Sequence, residues 1–137
     1  MRAFIDTSSL FKKYHFEEGT RNLFDILKNV SEIVVSPITH LEMTNTAYRF
    51  YHEKKITKKE LEILCRAINQ DFQYFKPIPW SNDLENLCFH WMTHYHIKTL
   101  DIIQLTSAQH SKCQQFITSD KNQYKVAKKE LNAVIFI

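Results

Sequence analysis

The sequence predicts an α/β fold in which a mostly parallel sheet of four or five strands is flanked by helices. Short apolar or β-branched runs alternate along the chain with longer segments whose apolar residues recur at helical spacing. This alternation favours parallel strand pairing, with helices covering both faces of the sheet. The chain has 137 residues and shows no repeat or linker, so we expect a single domain over residues 1–137.

Composition excludes several classes of protein. Hydrophobic residues make up 44% of the chain and charged residues 24%, which are values of a globular protein and argue against disorder. The single glycine, Gly19, excludes glycine-rich phosphate-binding loops. No apolar run reaches the length of a membrane span, and Met1-Arg2 leads directly into a strand, so we expect neither membrane insertion nor a signal peptide. Three widely spaced cysteines fit reduced thiols, and we expect a cytoplasmic protein.

The net charge of +3 gives a weaker indication of the partner. If several acids gather in one pocket, the rest of the surface becomes more strongly basic, which suits a polyanion bound together with a divalent cation. The same balance is also found in lysine-rich soluble proteins, so charge alone does not decide between the two.

The strands are predicted from short runs rich in apolar and β-branched residues. The third run is flanked by Pro77 and Pro79, and proline confines it to an edge of the sheet because it cannot donate to a neighbouring strand. The predicted strands cover residues 2–6, 33–36, 75–78, 115–118 and 133–137.

Cap residues mark the predicted helix starts. Thr57-Lys58-Lys59-Glu60 matches a capping box and begins a helix over residues 57–72. Ser36 is predicted as the cap of a helix that has Pro37 at its first position and runs to about His52. Residues 11–16 are ambiguous and hold at most one helical turn. Three further helices are predicted to have a hydroxyl residue as their cap: Thr20, Ser81 for the helix over residues 81–95, and Thr99. A last helix is predicted over residues 121–131.

Four acids, Asp6, Glu42, Asp101 and Asp120, are predicted to meet at the carboxyl edge of the sheet. Asp6 and Asp120 end strands, Glu42 lies in the second turn of the helix leaving the second strand, and Asp101 opens a helix that starts at this edge. Carboxylate oxygens suit Mg²⁺, which polarises phosphoryl oxygens and activates water. Crowded carboxylates repel each other, so at least one should have a raised pKa.

Each acid also has a local explanation. Asp6 and Asp120 could be helix N-caps, Glu42 could complete a capping box, and Asp101 could complement a helix dipole. Asp101 favours the functional interpretation, because apolar residues follow it at i+4 and i+7 and place it on an inward face, where an unpaired carboxylate is costly.

Four segments resemble the PIN-domain ribonucleases, and among them the VapC-like toxins of toxin–antitoxin pairs. The most specific is the third, which has a basic residue three positions before Asp101 and an apolar-Gln-Leu continuation. Its basic residue is Lys98, where arginine is frequent in the family. The resemblance spans essentially the whole chain and rests on Phe4-Ile5-Asp6-Thr7-Ser8, Leu41-Glu42, Lys98-Thr99-Leu100-Asp101-Ile102-Ile103-Gln104-Leu105 with Ala108, and Phe116-Ile117-Thr118-Ser119-Asp120.

This resemblance implies a PIN-like three-layer sandwich and a metal-dependent endoribonuclease that cleaves RNA by in-line attack of a metal-activated water. It implies Mg²⁺ or Mn²⁺ as cofactor, a homodimer, and a cognate antitoxin that occludes the site. Asp6, Asp101 and Asp120 would bind the metal, and Glu42 would orient water or a second ion. Thr7 and Thr118 would assist as neighbouring hydroxyls.

Other interpretations remain open from the sequence. A non-cleaving PIN-like module that binds RNA or protein is the main alternative, although four mutually repelling acids would then have no purpose. A phosphoryl-transfer protein on a flavodoxin-like sheet would need paired acids that Asp6-Thr7-Ser8 does not provide. His90 and His94 have zinc-ligand spacing but lack the glutamate of the HExxH motif. Helices 57–72 and 81–95 are candidate surfaces for a second copy or an antitoxin.

Overall fold

Five parallel strands form the central sheet of the computed structural model, which describes residues 1–137. Their order is β3-β2-β1-β4-β5, so the first strand of the chain is the middle of the sheet. The four neighbouring pairs are all parallel, which confirms the predicted α/β fold and places the proline-flanked strand at an edge. The strands are β1 Arg2–Ile5, β2 Glu32–Val35, β3 Lys76–Pro77, β4 Gln115–Thr118 and β5 Val134–Phe136.

Seven helices cover the two faces of this sheet. None of them combines the length and the apolar character required to cross a membrane. In chain order they are α1 Thr7–Phe11, α2 Thr20–Leu27, α3 Thr39–His52, α4 Lys58–Phe72, α5 Asn82–Met92, α6 Thr99–Ser111 and α7 Lys121–Glu130.

The side chains of β1 point alternately to the two faces of the sheet, as in any strand. They therefore contribute to two separate core layers, one on each face. Ala3 and Ile5 pack into a core that includes buried residues of α1, α2, α3 and α4. Phe4 packs into a second core with Cys88 and Trp91 of α5 and with residues of α6 and α7. All three strand residues are fully buried. The result is the predicted three-layer sandwich.

Two predicted caps are confirmed. The Thr57 hydroxyl accepts from the Glu60 amide while the Glu60 carboxylate accepts from the Thr57 amide, both at 3.1 Å, which completes the capping box. The Ser81 hydroxyl accepts from the Leu84 amide at 3.1 Å. In both helices a backbone amide at the helix start, which has no carbonyl acceptor within the helix, is therefore hydrogen-bonded by a side chain close in sequence.

Three predicted helix starts are wrong by one or two residues. Thr20 and Thr99 are the first helical residues and not the caps. Thr20 is drawn inward because its hydroxyl donates to the Lys12 carbonyl. Helix α3 begins at Thr39 and not at Pro37, because the Ser36 hydroxyl pairs with the Thr39 hydroxyl at 2.8 Å and forms a turn before the helix.

Helix ends also differ from the prediction. The helix predicted over 81–95 ends at Met92, and the one predicted over 121–131 ends at Glu130. The ambiguous residues 11–16 contain only the last residue of α1 and the turn that follows it. These differences leave every predicted strand and the order of the main helices in place.

The turn after α1 is attached to α4 by a polar contact. The Tyr14 hydroxyl donates to the Asp71 carboxylate at 2.6 Å, and the Lys13 ammonium forms an ion pair with the same oxygen. Partial burial alone would raise the pKa of Asp71, but the hydrogen bonds from Lys13 and Tyr14 outweigh it and hold the pKa below its ordinary value. Asp71 therefore stabilises the fold in its ionised form.

We expect Asp71→Asn to lower the free energy of unfolding by about 1 kcal/mol at pH 7. A lowered carboxyl pKa contributes stability that is present above the unfolded-state pKa of about 4 and is lost as the pH falls through the folded-state value. The difference in unfolding free energy between variant and wild type should therefore shrink below about pH 4. Urea unfolding at pH 7, 5 and 3 measures this difference.

Asp25→Asn is the matched control, because Asp25 forms an exposed ion pair with Lys28 on α2. It should change stability little at any of these pH values. An Asp71→Asn effect that is equally large at pH 7 and pH 3 would show that the contact does not depend on ionisation.

Candidate active site

A polar cleft of about 440 Å³ lies at the carboxyl edge of the sheet. Three of the four predicted acids, Glu42, Asp101 and Asp120, line this cleft and are half-buried. They come from the first turn of α3, the first turn of α6 and the start of α7. The topology therefore brings together carboxylates that are far apart in the sequence.

Asp6 lies beneath the cleft rather than on its wall. It is 1% exposed and caps α1, where its Oδ1 accepts from the Ser9 amide at 2.9 Å. Its Oδ2 accepts from the Thr118 hydroxyl at 2.6 Å, and the Ser8 hydroxyl lies 3.2 Å from both oxygens. The capping explanation is thus correct for Asp6, and it also fixes the carboxylate between the ends of β1 and β4.

The electrostatics of Asp6 differ from the prediction in their cause. Burial raises the pKa of Asp6, and the hydrogen bonds from Thr118, Ser9 and Ser8 offset only part of that shift. The raised pKa expected from mutual repulsion is present at Asp6, but removal from water is the main reason for it.

Glu42 makes contacts across the site and not along its own helix. Its Oε1 accepts from the Thr7 hydroxyl and from the Gln104 amide, both at 2.7 Å. The capping-box explanation is wrong, because α3 begins after Ile38 with no side-chain cap. Glu42 also lies in the first turn of α3, one turn earlier than predicted, since the helix starts later. Its carboxylate joins α3 to α1 and α6.

One residue holds both remaining acids. The side-chain amide of Gln123 donates to Asp101 Oδ1 at 3.0 Å, and its backbone amide donates to Asp120 Oδ1 at 2.8 Å. Asp120 is therefore an N-cap of α7, as its local explanation supposed. Asp101 and Asp120 are each hydrogen-bonded through one carboxylate oxygen only. Because both residues line the cleft, the second oxygen of each is available to a ligand.

Gln104 and Gln123 were not identified as site residues by the sequence analysis. They are 2% and 6% exposed, and each turns its NH₂ group towards a carboxylate and leaves its carbonyl oxygen buried without a donor. An unpaired buried acceptor costs about 1–3 kcal/mol, so the orientation is set by the carboxylates, which can only accept. Gln104 interrupts the apolar run Ile102 to Leu105, which was a usable signal, whereas Gln123 lies in a polar helix and offered none.

The donor set fits a hydrated magnesium ion, although it is not preassembled. No three acidic, histidine or cysteine side chains lie together as a complete metal-binding group. Mg²⁺ keeps several waters and is usually held by only one or two carboxylates, which the open oxygens of Asp101 and Asp120 can provide. A direct bond from Asp6 would require it to exchange one of its present hydrogen bonds. The His90–His94 pair likewise has no third ligand, so nothing supports the zinc interpretation.

The family model described as the PIN domain matches residues 3–129. No curated protein sequence compared with the chain gave a match. The family match covers all six residues that the sequence analysis assigned to the site.

Solved structures share the fold at low sequence identity. A chain of a toxin–antitoxin complex from Klebsiella pneumoniae is 19% identical, with a TM-score of 0.71 over 97% of this chain and 95% of that chain. A chain of VapBC2 from Rickettsia felis, bound to a promoter DNA fragment, is 14% identical, with a TM-score of 0.70 over 100% and 99%. VapC20 of Mycobacterium tuberculosis, described as a sarcin–ricin loop cleaving toxin, is 12% identical, with a TM-score of 0.68 over 90% and 94%.

Thr118→Val tests how the buried carboxylate is held. We expect it to destabilise the protein by about 2–3 kcal/mol at pH 7, because Asp6 loses a charge-assisted hydrogen bond and the Asp120 amide loses its acceptor. The Thr118 hydroxyl favours ionised Asp6, so the variant raises the pKa of Asp6 further and the destabilisation should grow with pH. Chemical unfolding between pH 4 and pH 8 measures this.

Thr106→Val is the matched control, because Thr106 is equally buried but donates to the Ile102 carbonyl of its own helix at 2.7 Å. Its effect should not vary with pH. If the two valine variants showed the same pH dependence, the Thr118 hydroxyl would not be supporting an ionised Asp6.

Proposed function

The chain belongs to the PIN domain family, and from this we propose that it is a metal-dependent endoribonuclease and the toxin of a toxin–antitoxin pair. The observation that carries the proposal is the cleft at the carboxyl edge of the sheet, where Glu42, Asp101 and Asp120 meet above the buried Asp6. Supporting it, structures of the same fold include a toxin–antitoxin complex and a toxin described as cleaving the sarcin–ricin loop.

In this proposal Asp101 and Asp120 would hold Mg²⁺ or Mn²⁺ through their open oxygens, with Asp6 as the third metal-binding acid. Such a cation would supply polarisation of a phosphoryl oxygen of RNA and a lowered pKa for a coordinated water. Glu42 orients the attacking water through the oxygen that Thr7 and Gln104 leave free. Attack of this water in line with the 3′-oxygen would break the bond between phosphorus and that oxygen and leave a 5′-phosphate and a 3′-hydroxyl. No cyclic phosphate would form, because the ribose 2′-hydroxyl takes no part.

The supporting residues hold these acids in place through hydrogen bonds. Thr7 and Gln104 fix Glu42, Gln123 fixes Asp101, and Thr118 fixes Asp6. Hydroxyl and amide donors stabilise a carboxylate without adding a competing cation, so the negative charge stays available for the metal. This is how the chain would retain a strongly acidic cleft in the absence of metal.

We further propose that the protein acts on cytoplasmic RNA, forms a homodimer and is inhibited by a cognate antitoxin. Large apolar side chains are exposed on α4 and α5, among them Ile63, Phe89 and Met92. Such residues are typical of surfaces that pack against another chain. The two helices are therefore the surfaces we assign to the second copy or the antitoxin.

Purified protein should cleave RNA with Mg²⁺ or Mn²⁺ and stop when EDTA is added, and the products should carry 5′-phosphates and 3′-hydroxyls. Asp101→Asn should reduce cleavage by at least about a hundredfold, since it removes a charge that holds the metal. End analysis of a labelled oligonucleotide measures both. Cleavage that continues in EDTA, or products with cyclic phosphates, would contradict the mechanism.

Asp83→Asn is the matched control, because Asp83 also lies in the first turn of a helix but outside the cleft. Mn²⁺ at about 100 times its dissociation constant should stabilise the wild type by roughly 2.7 kcal/mol, a rise in Tm on the order of 10 °C. Asp83→Asn should keep this rise and its RNA cleavage, and Asp101→Asn should lose most of both. A full Mn²⁺ shift in Asp101→Asn would show that Asp101 serves only the helix dipole.

A non-cleaving PIN-like RNA-binding module is the second candidate, favoured by the lack of three acids in one preassembled group. It predicts RNA binding with no cleavage at any metal concentration. The same oligonucleotide assay separates the two functions, because binding without new product ends supports the second candidate alone.

Expression of the protein alone should slow bacterial growth, and Asp6→Asn should relieve the effect at equal protein level. Asp6 is buried and hydrogen-bonded through both oxygens, so its exchange alters the charge beneath the cleft without removing an exposed surface residue. Growth curves with matched immunoblots measure this. Equal toxicity of Asp6→Asn would locate the toxic effect outside this site.

A further inference from the structure

The candidate active-site cleft contains one cation, Arg49, which forms no ion pair with its acids. Besides Arg49, its lining includes Glu17 together with Glu42, Asp101 and Asp120, and no lysine. Arg49 is exposed and takes part in none of the five ion pairs of the chain. An unpaired guanidinium in an acidic cleft is available to a ligand, and the ligand it favours carries negative charge.

Arg49 belongs to one continuous face of α3. Glu42, Asn45, Thr46 and Arg49 all line the cleft and follow one another at i, i+3, i+4 and i+7. Seven residues of α-helix advance about 10 Å, so Arg49 lies two turns beyond Glu42. In keeping with this separation along the helix, the Arg49 guanidinium forms no ion pair with the Glu42 carboxylate. The phosphate that is cleaved beside the acids and a phosphate bound by Arg49 would therefore be two different groups of the same RNA strand.

The guanidinium is supported by an aromatic side chain. Its central carbon lies 5.8 Å from the centre of the Phe50 ring, which also lines the cleft. Phe50 packs edge-on against Phe11, which is 5% exposed, with ring centres 5.5 Å apart. The cation therefore rests on a ring that is itself held by the core. This contact reduces the freedom that an exposed arginine would otherwise lose on binding.

We propose that Arg49, with the exposed amide of Asn45 one turn before it, forms a phosphate-binding subsite for single-stranded RNA. The subsite takes a phosphate next to the one that is cleaved, and the inference rests on the proposed ribonuclease function. A planar guanidinium matches phosphate by two parallel hydrogen bonds. It also offsets the repulsion between the strand and the acids, and it aligns the strand along α3.

Binding of a fluorescent 20-nucleotide single-stranded RNA tests this subsite. Asp101→Asn serves as the background in Mg²⁺ buffer, so that the probe stays intact, and anisotropy is measured from 50 to 200 mM salt. Arg49→Gln should weaken binding about tenfold. It should also make the negative slope of log affinity against log salt shallower by about 0.7, the value for one lost phosphate contact on a single strand. Arg49→Lys should keep the slope and lose part of the affinity.

Arg66→Gln is the matched control, because Arg66 is an exposed arginine on α4 outside this cleft. It should leave affinity and slope unchanged, and Arg49→Gln should melt at the temperature of its background. Equal affinity and slope in the two glutamine variants, with RNA still bound, would overturn the subsite and leave the ribonuclease proposal standing. No RNA binding by any variant would overturn both. RNA binding independent of Arg49, together with Arg49-dependent binding of a poly-glutamate peptide, would assign the arginine to an acidic protein segment instead.

Discussion

The structure depends on a carboxylate buried at the end of its central strand. Asp6 is removed from water, and a buried carboxyl group is tolerated only when hydrogen bonds replace the lost solvation. Its donors come from the first turn of α1 and from Thr118 at the end of β4. The carboxyl group therefore fixes the start of α1 and the relation of β1 to β4. The remaining acids are placed around this point, because β1 is the middle strand of the sheet.

A polar network extends from this point to the other carboxyl ends of the sheet. The Gln104 amide lies within hydrogen-bond distance of Thr7, Thr39 and Glu42, and the Thr39 hydroxyl pairs with Ser36 after β2. The contacts join α1, α3 and α6 through groups that are almost all neutral. Buried networks of this kind specify one arrangement, since any slip leaves several polar groups unpaired.

The two glutamines show where this arrangement reduces stability. Gln104 and Gln123 both keep a buried carbonyl oxygen without a donor so that their NH₂ groups can face carboxylates. An apolar residue would avoid the unpaired acceptor but would leave the acid without a donor. The chain thus accepts a cost of a few kcal/mol at the cleft, as is common at functional sites. The apolar cores on the two faces of the sheet provide the compensating burial.

The sequence by itself determined the strands, the alternation of elements and the approach of the acids, because these follow from local apolar patterns and from the geometry of parallel sheets. It did not determine the start of α3, since a hydroxyl pair between Ser36 and Thr39 replaces the expected proline-led first turn. Nor did it show that Asp6 is buried while Glu42, Asp101 and Asp120 line the cleft. The donors of Asp101 and Glu42 come from other helices, 22 and 62 residues away in sequence. Contacts over such separations depend on how helices pack against the sheet, so only the tertiary structure decided which groups hold each acid and placed Arg49 in the same cleft.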